Sequence, residues 1–177
     1  RMLESVRRFS ADQLEAGEEA AKLRHANHFS ANGSTQFIDS LMTHGGGARW
    51  LQLALEQKNL LRATESALAL GESTLAASCA LAASVIYGPR GPLLEGVALL
   101  ERIPEETLSN RTRCRLLSRM STLLRLVGRK ADSVALAERL LELSRAAGDR
   151  SGEGSALTNL GLTSADQGLL REAQTYY

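Results

Sequence analysis

Cysteine is scarce in this 177-residue chain: only Cys79 and Cys114 occur, both within apolar stretches of helical spacing. That excludes a secreted disulfide scaffold and leads us to expect a reduced pair in a cytoplasmic protein. An excess of one charge is also missing. The 21 basic and 20 acidic residues leave a net charge of +1, which argues against a bulk nucleic-acid binder. Long apolar runs are absent as well. The longest uncharged stretch, 73–89, carries Ser73, Thr74, Ser78 and Ser84 and ends at Gly88-Pro89. It is too short and too weakly apolar for a membrane span of roughly 20 residues and reads instead as a buried helix. Five Val and three Ile stand against 32 Leu and 25 Ala. Unbranched residues keep rotamer freedom in a helix while β-branched ones lose it, so this ratio reads all-α. No signal-peptide pattern opens the chain at Arg1, and Tyr177 falls inside an apolar-periodic segment. The expectation is a piece of a longer protein.

What the chain does have is evenly spaced helical periodicity cut by breakers. Leu3, Val6, Phe9 and Leu14 give a first amphipathic helix ending near Gly17, and Glu18-Glu19 opens a long segment through Met42, weakened at Asn32-Gly33. Gly45-Gly46-Gly47 ends that segment. Short helices are expected over 48–57 and 59–70, then over 74–87, 92–103, 110–127 and 131–147, with Gly71, Gly88-Pro89, Pro104 and Gly128 between them. Two more cover 154–167 and 169 onward.

An internal repeat runs through the second half. Gly91-Pro-Leu-Leu-Glu-Gly-Val-Ala-Leu-Leu-Glu-Arg-Ile103 aligns without gaps on Gly128-Arg-Lys-Ala-Asp-Ser-Val-Ala-Leu-Ala-Glu-Arg-Leu140, and Gly168-Leu-Leu-Arg-Glu-Ala173 starts a third copy. The glycines are 37 and 40 residues apart, slightly longer than the roughly 34 of a tetratricopeptide unit, and each sits between a helix A and a helix B. One such hairpin cannot bury its apolar face alone, so the reading is a stack of hairpins, a right-handed α-solenoid. In the third copy Leu157, Leu160, Gly161, Ala173 and Tyr177 fall at the small and large positions of that motif. Leu117, Met120, Ser121, Ser133 and Ala137 occupy those slots in the second copy, and Tyr87 and Gly96 fall on the aromatic and small positions of the first.

The opening segment carries a further likeness. Arg-Met-Leu-Glu-Ser-Val-Arg-Arg-Phe-Ser at 1–10, Leu14-Glu-Ala-Gly17-Glu and Leu23-Arg-His-Ala-Asn-His-Phe29 resemble the segment that follows the nucleotide-binding and winged-helix regions of bacterial STAND ATPases, many of them transcriptional regulators. Trp50-Leu, Leu53, Glu56, Asn59-Leu, Arg62-Ala and Ala67-Leu68 are similar to that family's helix pair before its tetratricopeptide-like array. The resemblance implies a regulatory ATPase whose helical array senses a ligand or partner and controls nucleotide-dependent assembly. It implies a helical linker over 1–43 and helical repeats over 48–177, with the motor upstream. No Gly-x-x-x-x-Gly-Lys-Ser/Thr loop occurs, and Lys22, Lys58 and Lys130 lie in no such context. No position here matches the family's nucleotide-binding residues, and no cofactor is expected in this stretch.

Candidate sites are few. His25 and His28 stand three apart on a helix, with Glu18 or Glu19 two turns earlier, but a Zn site needs three or four ligands, and packing beside Phe29 is the preferred reading. His44 before the three glycines reads as a hinge. No Gly-x-Ser-x-Gly elbow or Cys-His arrangement activates a nucleophile, so the chain reads as non-enzymatic. The best candidate is basic. Arg111, Arg113, Arg115, Arg119, Arg125, Arg129 and Lys130 fall between 108 and 131 with no acid among them, and Arg111, Arg115 and Arg119 share one helix face. Arg115, Ser118, Arg119 and Thr122 fall where a helix A faces the concave groove, and guanidinium forks there suit a carboxylate, an acidic peptide or a phosphate. The alternative is a solvated face paired with Glu101, Glu105, Glu106, Glu138 or Glu142. As exposed groove residues, Arg115 and Arg119 should change folding stability by less than about 1 kcal/mol when truncated. Nucleic acid is disfavoured because no stacking aromatic lies near this stripe.

The sequence therefore leads us to expect an all-α chain, a helical linker followed by a tetratricopeptide-like superhelix. It would be a cytoplasmic, non-catalytic sensing and protein-interaction module. A protein partner or small effector would bind the concave face, other domains of the same chain would contact it, and neither membrane nor nucleic acid would be bound directly. Rival readings are a free-standing tetratricopeptide adaptor for acidic peptides, a small-molecule enzyme on a helical scaffold, and a direct nucleic-acid binder.

Overall fold

The computed structural model describes residues 17–177, and the amphipathic segment expected around Leu3, Val6, Phe9 and Leu14 lies outside the described residues. The described chain is all-α, with no strand. Helix α1 (Glu18–Ser30) passes through a 3-10 turn (Ala31–Gly33) into α2 (Thr35–Ser40), followed by α3 (Gly46–Leu55), α4 (Gln57–Ala69) and α5 (Ser73–Arg90). Then come α6 (Leu93–Glu101), a second 3-10 turn (Glu105–Thr107), α7 (Asn110–Leu126), α8 (Lys130–Ala147), α9 (Arg150–Asp166) and α10 (Leu170–Thr175).

Several boundaries follow from cap chemistry. The Ser34 hydroxyl accepts from Phe37 N at the start of α2, and Ser109 accepts from Thr112 N at the start of α7. Asp149 accepts from Ser151 N and Gly152 N, both at 3.1 Å, at the start of α9. Each side-chain oxygen satisfies amide donors that have no partner inside the helix. The repeat glycines Gly91, Gly128 and Gly168 all have positive φ, at 60°, 84° and 80°. Gly128 and Gly168 make the same left-handed closure, in which Arg129 N bonds the Leu124 carbonyl and Leu169 N bonds the Ser164 carbonyl.

Several boundaries differ from the sequence reading, among them the start of α9, which falls at Arg150 and not at 154 because Asp149 caps the helix there. The segment 18–42 is not one weakened helix but two, because the 3-10 turn Ala31–Gly33 brings Gly33 against Ser78. Gly46 and Gly47 start α3 instead of merely ending what precedes. Helix α5 runs through Gly88 and Pro89 to Arg90. Pro89 has no N–H for the Val85 carbonyl, yet Gly91 N still bonds the Tyr87 carbonyl at 2.7 Å, so the break falls at Gly91-Pro92.

Consecutive helices from α4 to α10 pack in pairs, and α5 also packs on α7, which packs on α9. Helix α1 lies on α4 and α5. The uncharged stretch is the centre of this arrangement. Ala76, Ala77, Ala80, Ala82 and Ala83 of α5 are fully buried, and their short side chains let α1, α4, α6 and α7 approach closely. One core cluster runs from Ala26 and Phe29 in α1 through Leu60, Ile86, Tyr87 and Leu100 to Leu123 in α7. A second joins Cys114, Leu117, Leu140 and Ala156. Among the described residues, no helix is long and apolar enough to cross a membrane.

The small and large positions read from the repeat meet in space. A Cβ on Gly96 would lie 3.0 Å from Tyr87, and one on Gly161 would lie 2.8 Å from Tyr177. In the middle copy, Ser121 and Ser133 are fully buried and exchange hydroxyl-to-carbonyl hydrogen bonds of 3.0 and 2.9 Å.

Candidate functional site

Helix α7 forms the floor of a cleft of about 590 Å³. One wall comes from Thr35, Ile38 and Asp39 of α2 with Leu81 and Val85 of α5, and the other from Ala147, Asp149 and the first turns of α9. Positions 111, 115, 118, 119 and 122 recur every three or four residues, so they fall on one helix face. Arg115, Ser118, Arg119 and Thr122 all line the cleft, together with Asn110, Arg111 and Cys114.

The two inner arginines are not free surface groups. Arg119 Nε donates to the Ser84 hydroxyl at 3.1 Å, and its Nη2 donates to the Ser84 carbonyl at 2.6 Å. Burial lowers the Arg119 guanidinium to about 10, which still leaves it protonated at neutral pH. Arg115 Nη2 donates to the Gly33 carbonyl. Burial and then the neighbouring Arg111 push Arg115 below its ordinary value, with Asp39 acting in the opposite direction. Thr122 Oγ1 lies 3.0 Å from the Ser118 carbonyl and 3.1 Å from Asn159 Oδ1, while Asn159 Nδ2 donates to the Ser118 carbonyl at 3.1 Å. Neither Arg115 nor Arg119 makes an ion pair with Glu101, Glu138 or Glu142. The expectation that both are exposed groove residues is corrected: each is partly buried and bonded to a neighbouring segment.

The rest of the basic run is spent elsewhere. Arg113 donates to the Glu105 carbonyl and lies 3.7 Å from its carboxylate, and Arg129 pairs with Asp132 at 2.6 Å and Glu101 at 3.8 Å. Arg125 pairs with Asp166 at 2.6 Å, and Lys130 donates to the Asp166 carbonyl. Arg111 is exposed at the cleft rim and makes no ion pair among the described residues.

The two histidines pack against Phe29, with ring centroids 4.8 Å away for His25 and 4.9 Å for His28. Burial and the nearby His28 hold His25 below its usual imidazole range. Among the described residues, no three His, Cys, Asp or Glu side chains converge as a metal site would require. The His44 carbonyl accepts from Arg49 Nη2 at 2.9 Å, and Arg49 also bonds Ser40 and Thr43, so this guanidinium ties the glycine-rich turn together.

Sequence reasoning missed Ser84, Gly33 and Asn159, which hold the candidate side chains in place. Gly33 contributes only a backbone carbonyl, which has no sequence signature, whereas Ser84 adds its buried hydroxyl. Asn159 is a buried polar residue inside the apolar pattern of α9 and could have been singled out for that reason. Comparison with family models, with curated proteins and with solved structures gives no match.

Proposed function

We propose that this chain is a non-catalytic sensing and interaction module of a multidomain bacterial regulatory ATPase of the STAND class, acting in the cytoplasm as part of a transcriptional regulator. In this reading α5–α10 form a tetratricopeptide-like right-handed solenoid and the helices before it form the linker to upstream domains. Support for the solenoid comes from the small and large pairs Gly96 with Tyr87 and Gly161 with Tyr177. The packing of α5 on α7 and of α7 on α9 adds to it.

One observation carries the interaction reading. The four side chains that the repeat register puts on the inner face, Arg115, Ser118, Arg119 and Thr122, line one cleft with Arg111. The partners of the two inner arginines are neutral oxygens, so an arriving anion would add the counter-charge that a partly desolvated guanidinium lacks. Binding there would bias the packing of α7 against α5 and the 3-10 turn Ala31–Gly33, through which an effector or partner protein could reach upstream domains.

The test uses the full-length gene product. Its reading frame should encode a phosphate-binding loop upstream, and Arg111→Ala should change effector-dependent assembly in the presence of Mg-ATP. The 177-residue chain alone should give no heat with Mg-ATP. A reading frame without an upstream ATPase would instead favour a free-standing adaptor for acidic peptides, since the cleft and its arginines serve that role equally well.

A further inference from the structure

We infer that the cleft above α7 is a binding site for a small aliphatic monocarboxylate, with its carboxylate among Arg111, Arg115 and Arg119 and its carbon chain against Ile38, Leu81 and Val85. The inference rests on the reading above that the cleft receives an anion, and it names which one.

Charge, shape and wall chemistry select the ligand together. Three guanidinium groups face two carboxylates, Asp39 and Asp149. Asp149 accepts from the amides of Ser151 and Gly152 at the start of α9 and keeps its negative charge, so the lining carries one positive charge in excess. A single added negative charge suits this balance, whereas a polyphosphate would crowd against both acids. No lining residue is aromatic, so a nucleobase finds nothing to stack on. The apolar wall consists of branched aliphatic side chains from two helices, which suits an alkyl body. The cleft volume of about 590 Å³ lies within the roughly 300–1,000 Å³ of small-ligand sites. Arg119 and Arg115 are already oriented by Ser84 and Gly33, so little side-chain freedom is lost when the carboxylate arrives.

The experiment is a calorimetric titration of the 177-residue chain with octanoate, octanol, acetate, inorganic phosphate and a hexaglutamate peptide. Octanoate should bind at least about tenfold tighter than each of the other four, because only it satisfies both the arginines and the aliphatic wall. Arg111→Ala, at an exposed position that leaves the fold intact, should weaken octanoate about tenfold and leave octanol unchanged. Arg115→Ala should act in the same direction, with circular dichroism confirming that it folds. Equal binding of octanol, or octanoate binding indifferent to Arg111→Ala, overturns the inference. Phosphate or hexaglutamate binding in an arginine-dependent way while octanoate does not would overturn it too, yet leave the anion-receiving reading standing. If no anion binds in an arginine-dependent way, both fail.

Discussion

Arg119 on α7 grips Ser84 on α5 twice, through the hydroxyl at 3.1 Å and the carbonyl at 2.6 Å, and Ser84 in turn donates to the Leu81 carbonyl at 2.7 Å. A cation is thereby held in a mostly buried place by neutral oxygens alone, joining two helices that are central to the core. The same side chain lines the cleft. Structural and binding roles therefore converge on Arg119, while Arg111 at the rim is free of the structural one.

Truncating Arg119 should accordingly cost stability. Arg119→Ala is expected to lower the unfolding free energy by about 1 to 3 kcal/mol, read from urea denaturation followed by helical circular dichroism. Arg119→Met should lose less, since it keeps the apolar stem and removes the buried charge. Equal stability of Arg119→Ala and the parent chain would show that the grip on Ser84 contributes nothing.

The three consecutive glycines should respond with different signs and causes. Gly45 has φ 76°, which an L side chain rarely adopts, and a Cβ on Gly46 would fall 2.0 Å from the Leu41 carbonyl oxygen. Ala at either position should destabilise, by about 1 to 3 kcal/mol at Gly46, where backbone must move. Gly47 lies within α3 with nothing near a Cβ, so Gly47→Ala should stabilise by about 0.5 to 1 kcal/mol. Thermal melts of the three single variants separate these cases.

Ser121, Ser133 and Thr163 make a buried hydroxyl cluster joining α7, α8 and α9, with Ser133 Oγ 3.1 Å from Ser121 Oγ and 3.3 Å from Thr163 Oγ1. Ser121→Ala or Ser133→Ala removes a buried hydroxyl that is a second donor to a carbonyl already bonded within its helix, and should cost about 0.5 to 1.5 kcal/mol. The double variant should cost less than the sum, because the two residues share one network. Strict additivity in the double-mutant cycle would contradict this.

Cys79 should titrate only after unfolding. Burial pushes its thiol from 9.0 up to about 12, and its Sγ lies 3.5 Å from the Ala26 carbonyl. In the unfolded chain the thiol ionises from its ordinary value, so the folded state holds more protons between about 9 and 12. Its stability contribution is complete below 9 and is lost as pH rises through that window. In a Cys114→Ser background, Cys79 should resist a disulfide reagent at pH 8 in the native protein and react fully in urea. Cys79→Ala should flatten the alkaline decline.

Much of this fold could be read along the chain because it rests on local chemistry. Leucine and alanine at helical spacing, punctuated by glycine and proline, are enough to mark helices, since propensity and capping act within a few residues. The uncharged stretch 73–89 had to be buried, and the repeat register marked Tyr87 as a large position and Gly96 as a small one, though not that the two would touch. The face carrying Arg111, Arg115, Ser118, Arg119 and Thr122 was likewise set by helical geometry.

What that face touches was decided only when helices packed. Gly33 is 82 residues from Arg115, and Ser84 is 35 from Arg119, and both supply backbone carbonyls. Every residue carries a carbonyl, so no pattern of side chains could single out Gly33, whereas Ser84 also accepts through its hydroxyl and is a buried polar residue in an apolar helix. Only the approach of α5 and the 3-10 turn to α7 brought them within hydrogen-bond reach. The same packing closed α2 and α9 over α7, turning a basic stripe into a cleft with an aliphatic wall.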